Sequence, residues 1–115
     1  MRNAAINSDW NFTNKLRLLE AEQKSLSIRH RDAIALYDAS IASAKKSGFI
    51  HEQGLACEKA GFYHKRNGYL SKAISYFEQA QECYEKWGSS MKVNFIQGEL
   101  NDTQILLNNE LARRG

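Results

Sequence analysis

The sequence predicts an all-α protein made of antiparallel helical hairpins stacked as a short array of about five helices, and three observations lead there. The first is that the 115 residues contain no proline, where average usage would place about five or six; long uninterrupted helices are therefore permitted. The second is that apolar residues recur at three-to-four spacing through most of the chain, while no alternating strand pattern is present. The third is that glycines, at Gly48, Gly68 and Gly88, stand where the periodic segments stop. The composition, 43% hydrophobic and 25% charged, is that of a folded globular domain. At this length one domain is expected, 1–115, large enough for a core without disulfide or metal staples.

The first segment is expected from about Trp10 to Leu26, with Phe12, Leu16, Leu19 and Leu26 on one face and Ser8 or Asp9 as its cap. The second is expected from near Asp32 to Gly48, with Ile34, Tyr37, Ile41 and Ala44 as its stripe. Lys45 and Lys46 fall in its last turn, where cations suit the helix dipole, and Gly48 supplies the stop. A third runs from about His51 to Asn67 and stops at Gly68. The fourth, Ser71 to Trp87 with Ser71 as cap, has the clearest pattern: Ala73, Ile74, Phe77, Ala80, Tyr84 and Trp87 line one face, and Glu78, Glu82 and Glu85 mark the wet side. A fifth, Met91 to about Arg113, carries Ile96, Leu100, Leu107 and Leu111; Gly98 and the Asn101–Asp102 pair weaken its middle.

Sliding the chain by forty residues superposes the second segment on the fourth. Ala33-Ile34 falls on Ala73-Ile74, Tyr37 on Phe77, Asp38 on Glu78, Ser40 on Ala80 and Gly48 on Gly88. A period of this size is one helix-turn-helix unit. Between its glycines, the stretch Cys57, Ala60-Gly61, His64, Gly68, Ala73-Ile74, Phe77 and Ala80 resembles the tetratricopeptide repeat, whose signature places small and aromatic residues in this register. Cys57 and His64 stand where that family usually has aromatics, and no proline closes the unit. The resemblance implies a right-handed array with a degenerate repeat at 9–48, a better one at 51–88 and a capping helix at 90–113. Gly61 would let paired helices approach, Ala73 and Ala80 would be the small contacts, and Phe77 and Trp87 would pack between hairpins.

A closer resemblance covers residues 37 to 93. Tyr37-Asp38-Ala39, Ala44, Gly48-Phe49-Ile50-His51-Glu52, Leu55-Ala56, Glu58, Gly61-Phe62-Tyr63, Gly68, Ala73, Tyr76, Ala80, Tyr84, Trp87-Gly88 and Lys92-Val93 are similar to the helical-repeat region of large serine/threonine–histidine signalling kinases. That region connects an ATPase-like module to sensor and kinase domains, so it implies protein binding and signal transduction without catalysis of its own. In such a repeat the first helices line a groove, which places Leu55, Glu58, Phe62, Lys65 and Arg66 on a partner-binding surface. Glu58 and Phe62 occupy positions where a clamp for C-terminal carboxylates needs Lys and Asn, so that mode is not expected.

The remaining motifs point to no chemistry. Sixteen Lys and Arg against thirteen Asp and Glu leave a net charge of +3, and the basic residues are scattered in pairs rather than gathered in the stripe that binds nucleic acid. Lys59, Lys65, Arg66 and Lys72 interleave with Phe62, Tyr63, Tyr69 and Tyr76, a pattern compatible with single-strand stacking, but hairpin packing accounts for these aromatics more simply. His51-Glu52 lacks the second histidine of a zinc motif, since residue 55 is Leu55. Cys57 and Cys83 do not form a metal set with the three histidines. A Cys57–His64 nucleophile pair would be separated by about 10 Å of helix rise. No catalytic residue, cofactor or metal site is expected, and no membrane span. The expected partner is a protein, a peptide or a second copy of the chain, and the expected location is cytoplasmic.

Overall fold

The computed structural model describes the backbone of residues 12–114 and the side chains of residues 20–114 other than 22 and 25. Among the described residues there are four helices and no strand: α1 (Phe12–Ser47), α2 (Ile50–Arg66), α3 (Leu70–Trp87) and α4 (Ser90–Arg114). The chain divides into two units, Met1–Ala33 and Ile34–Gly115. In the first unit, α1 carries the exposed side chains of Leu26 and Ile28. All tertiary packing described below lies within the second.

Four helices replace the expected five because the first two segments are one. Between Leu26 and Asp32 stand Ser27, Ile28, Arg29, His30 and Arg31. None lacks an N–H or relaxes the backbone as proline or glycine would, and each costs well under ~1 kcal/mol in a helix. Asp32 is therefore a helical residue rather than a cap. The expected cap at Ser8 or Asp9 and the side chains of Phe12, Leu16 and Leu19 lie outside the described residues. The middle of α4 is also unbroken, because buried Ile96 and Thr103 on either side of Gly98 and Asn101–Asp102 anchor it to the core.

The three turns of the second unit are copies of one another. Gly48, Gly68 and Gly88, spaced twenty residues apart, have φ of 76°, 82° and 89°, a left-handed conformation that glycine adopts without a Cβ clash. At each, the N–H of the next residue donates back to a carbonyl five residues earlier: Phe49 to Ala44 at 2.9 Å, Tyr69 to His64 at 2.9 Å and Ser89 to Tyr84 at 3.1 Å. This is the Schellman closure. The carbonyls of Phe49, Tyr69 and Ser89 then accept the N–H of Gln53, Ala73 and Val93 and start the next helix. Tyr69, not Ser71, is the residue at the start of α3, with no side-chain cap. Ser89 does cap α4, its Oγ accepting from the Lys92 N–H at 3.3 Å.

α2 and α3 form the tightest pair. Cys57, Ala60, Ala73, Phe77 and Ala80 are fully buried where they meet. A Cβ on Gly61 would lie 2.6 Å from the Phe77 ring, and one on Gly54 would lie 2.9 Å from Tyr84. The pairing of residue 54 with 84 and 61 with 77 makes the two helices antiparallel. Phe62 packs edge-on against the Phe77 ring, with centroids 5.1 Å apart. α4 adds Ile96, buried in the same cluster, and Val93, Leu100 and Ile41 of α1 pack against that cluster.

Because Phe77 is enclosed by Gly61 and Phe62, overpacking there has no outlet. Gly61→Ala is expected to lower stability by about 1–3 kcal/mol despite alanine's better helix propensity. Urea denaturation followed by circular dichroism measures this; an unchanged or raised midpoint would refute the seat.

Candidate functional site

The expected groove residues fall on one strip of α2, with α1 on one flank and α4 on the other. Leu55, Phe62 and Arg66 lie along the centre of this strip, Leu55 and Phe62 half-buried and Arg66 exposed in the last turn. On the α1 flank, Leu55 and Ala56 meet Leu36, Tyr37 and Ser40 in an open cleft of about 450 Å³, with Glu52 and Lys59 also in its wall. Farther along the same flank, the Tyr37 and Tyr63 rings lie 5.4 Å apart.

On the α4 flank, two of the three charged residues of the expected groove are already paired. Lys65 Nζ donates to Glu99 at 2.9 Å and to Asp102 at 2.7 Å. Glu58 accepts the Tyr84 hydroxyl at 2.7 Å and forms an ion pair with Lys92 at 3.0 Å. Between these charge clusters, Phe62 meets Phe95 with centroids 6.2 Å apart. Lys92 also sits over the Tyr84 and Phe95 rings, 5.1 and 5.3 Å from their centroids, within range of a cation–π attraction. Residue numbers rise together on the two helices, so α2 and α4 run in the same direction, Lys65 meeting Glu99 across 34 residues. Glu58, Phe62 and Lys65 on α2 thus face Lys92, Phe95 and Glu99 on α4 in opposite charge order.

Lys92, Phe95, Glu99 and Asp102 are the members of this face that the sequence reading missed, because the fifth segment was read only as a cap. A signal existed: the four share one helical face and their charges invert those of Glu58 and Lys65. Sequence reasoning ranked the apolar periodicity of a segment above its polar periodicity, and here the polar pattern carried the pairing.

The repeat-packing residues separate into two groups. Gly61, Ala73, Phe77 and Ala80 are buried together. Trp87 is 47% exposed and stacks on His51 with centroids 4.1 Å apart, so the histidine of the His51-Glu52 pair lies against an indole. Cys57 and His64 are both buried, at 0% and 1% exposure. Burial, with smaller contributions from Cys83 and Asp38, pushes the Cys57 thiol up to about 12, which removes the thiolate that a nucleophile or a metal ligand needs. His64 Nδ1 donates to the Ala60 carbonyl at 2.8 Å, and its ring stacks on Tyr76 with centroids 5.0 Å apart. Tyr76 in turn donates to Asp38 of α1. Among the described residues there is no group of three or more His, Cys, Asp or Glu able to hold a metal ion, and no helix is long and apolar enough to cross a membrane.

Two tyrosine hydroxyls hydrogen-bonded to carboxylates make stability fall at alkaline pH. Burial, then the hydrogen bond and charge of Asp38, raise Tyr76 from its ordinary 10.0 to about 12; burial and Glu58 raise Tyr84 as well. A group held neutral in the folded state contributes fully below its unfolded value and loses that contribution as pH climbs to its folded one. Stability should therefore decline between about pH 10 and 12, and Tyr76→Phe should flatten the decline. Urea midpoints measured across that range test this; identical slopes for the two proteins would exclude Tyr76 as the cause.

No family model, curated protein or solved structure matches the chain.

Proposed function

We propose that this chain is a non-catalytic protein-interaction module of tetratricopeptide type, in which the strip of α2 between α1 and α4 receives a peptide or helix from another protein. The observation that carries this reading is the common direction of α2 and α4, joined through Lys65–Glu99 at a separation of 34 residues. Two helices of like direction on one side of α3 are what a right-handed stack of hairpins requires, and their outer sides supply the groove of such a stack. The setting is that of the helical region of signalling kinases, in the cytoplasm, where such a module would hold one component of a pathway to another.

The groove is not uniformly available. Glu58 and Lys65 tie α2 to α4, so they fix its shape, while Leu55, Leu36, Phe62 and Arg66 are left to meet a ligand. An apolar centre with exposed cations at Lys59 and Arg66 suits an extended or helical peptide with hydrophobic anchors and an acidic group. The same ion pairs argue against single-stranded nucleic acid, because Lys65 and Lys92 are neutralised by Glu58, Glu99 and Asp102 and cannot release counterions from phosphates. Burial of Cys57 and His64 supports the absence of catalysis.

Arg66→Glu and Leu55→Asp change exposed or half-exposed positions and leave the core untouched. Affinity capture from cell extract with the unaltered chain should recover partners that both variants lose, with circular dichroism confirming that both remain helical. Retention of the same partners by both variants would overturn the groove.

A further inference from the structure

Gly98 separates itself from the other helix-interior glycines. A glycine inside a helix costs roughly 1 kcal/mol relative to alanine. Gly54 and Gly61 have a visible reason, since Tyr84 and Phe77 occupy the space a Cβ would need. Gly98 is exposed in the middle of α4, and nothing lies within 4 Å of where its Cβ would be. Within the described chain, no contact requires a glycine there.

Its surroundings are apolar and outward-facing. Met91 and Ile105 stand seven residues before and after Gly98, on the same helical face, and Phe95 and Leu106 border it. Met91 is 80% exposed, Phe95 46%, Ile105 58% and Leu106 42%. Together the four present an apolar patch on the order of a few hundred Å². The one charge on this face is Asp102, whose carboxylate is held by Lys65. On its far side runs a neutral row of amides, Asn94, Gln97, Asn101, Gln104 and Asn108, all exposed and partly linked, Gln97 to Asn101 at 2.9 Å and Gln104 to Asn108 at 3.0 Å. Two such faces can meet without like-charge repulsion even though the chain carries +3.

We infer that α4 pairs antiparallel with α4 of a second copy of this chain, the two helices crossing at Gly98. The spacing selects a second copy as the occupant. Because Met91 and Ile105 are equidistant from Gly98, a two-fold axis there sets Met91 of one copy on Ile105 of the other, twice, with glycine against glycine at the closest approach. This is the self-complementarity an isologous interface needs. Antiparallel pairing also opposes the helix dipoles. The face borders the α2 strip through the Phe62–Phe95 contact, and Leu55 and Arg66 are not among its residues, so Arg66→Glu separates the two proposals.

Sedimentation of the full chain over a range of concentrations should show a monomer–dimer equilibrium. Gly98→Lys, which favours the helix and places a charge at the crossing, should weaken dimerisation at least tenfold without loss of helicity, whereas Arg66→Glu should leave it unchanged. A mixture of Met91→Cys and Ile105→Cys chains should cross-link on oxidation far more than either alone. A monomer at every concentration, leaving the face to a different protein, would overturn the inference. So would a dimer indifferent to Gly98→Lys, or equal cross-linking by a single variant alone.

Discussion

The seat of the Phe77 ring on Gly61 is the contact from which the rest of the second unit follows. With no Cβ at Gly61, α2 comes close enough to α3 for the ring to sit flush on its backbone, where a Cβ would be 2.6 Å away. Seven residues along each helix, Tyr84 sits on Gly54 in the same manner. Two seats fix both the separation and the rotation of the pair. The small residues Ala60, Ala73 and Ala80 then fill what remains, fully buried. Such close-packed interiors tolerate little added volume.

From that pair the position of α4 is determined through one side chain. Tyr84 is seated by Gly54, and its hydroxyl reaches Glu58 at 2.7 Å, which in turn holds Lys92 at 3.0 Å. The buried ring thus places the carboxylate to which the start of α4 is tied. Farther along, Lys65 draws Glu99 and Asp102 together. Each exposed ion pair taken alone contributes little; here Lys65–Glu99 and Lys92–Glu58 are partly buried, Lys65 is shared with Asp102, and the pairs flank the Phe62–Phe95 contact. Their combined effect is to select one register between two helices that have no turn in common.

The glycine turns and the small-residue seats were legible from residue identity. Gly48, Gly68 and Gly88 marked the stops, and Gly61, Ala73, Phe77 and Ala80 marked the hairpin contact, because these identities are dictated by backbone conformation and by volume. Trp87 was not legible: its place in the apolar stripe suggested burial, yet it is the last residue of α3 and meets His51 at the start of α2, where the hairpin ends, so the indole stays half-exposed. The break expected between Leu26 and Asp32 was wrong for a simpler reason. A lapse in apolar periodicity does not by itself end a helix. Only a missing N–H or a relaxed backbone ends it, and neither residue type occurs there.

The sequence by itself determined that this protein is helical, where three of its turns fall and which residues make the tight hairpin, since each of these is a local property of glycine, of small side chains or of spacing. The tertiary structure alone decided what the groove charges do. Glu58 and Lys65 read as ligand contacts on α2, and became internal links once α4 brought Lys92, Glu99 and Asp102 within 3.0 Å. A charge seeks the nearest opposite charge in space, and across 34 residues that neighbour is chosen by how the helices stack.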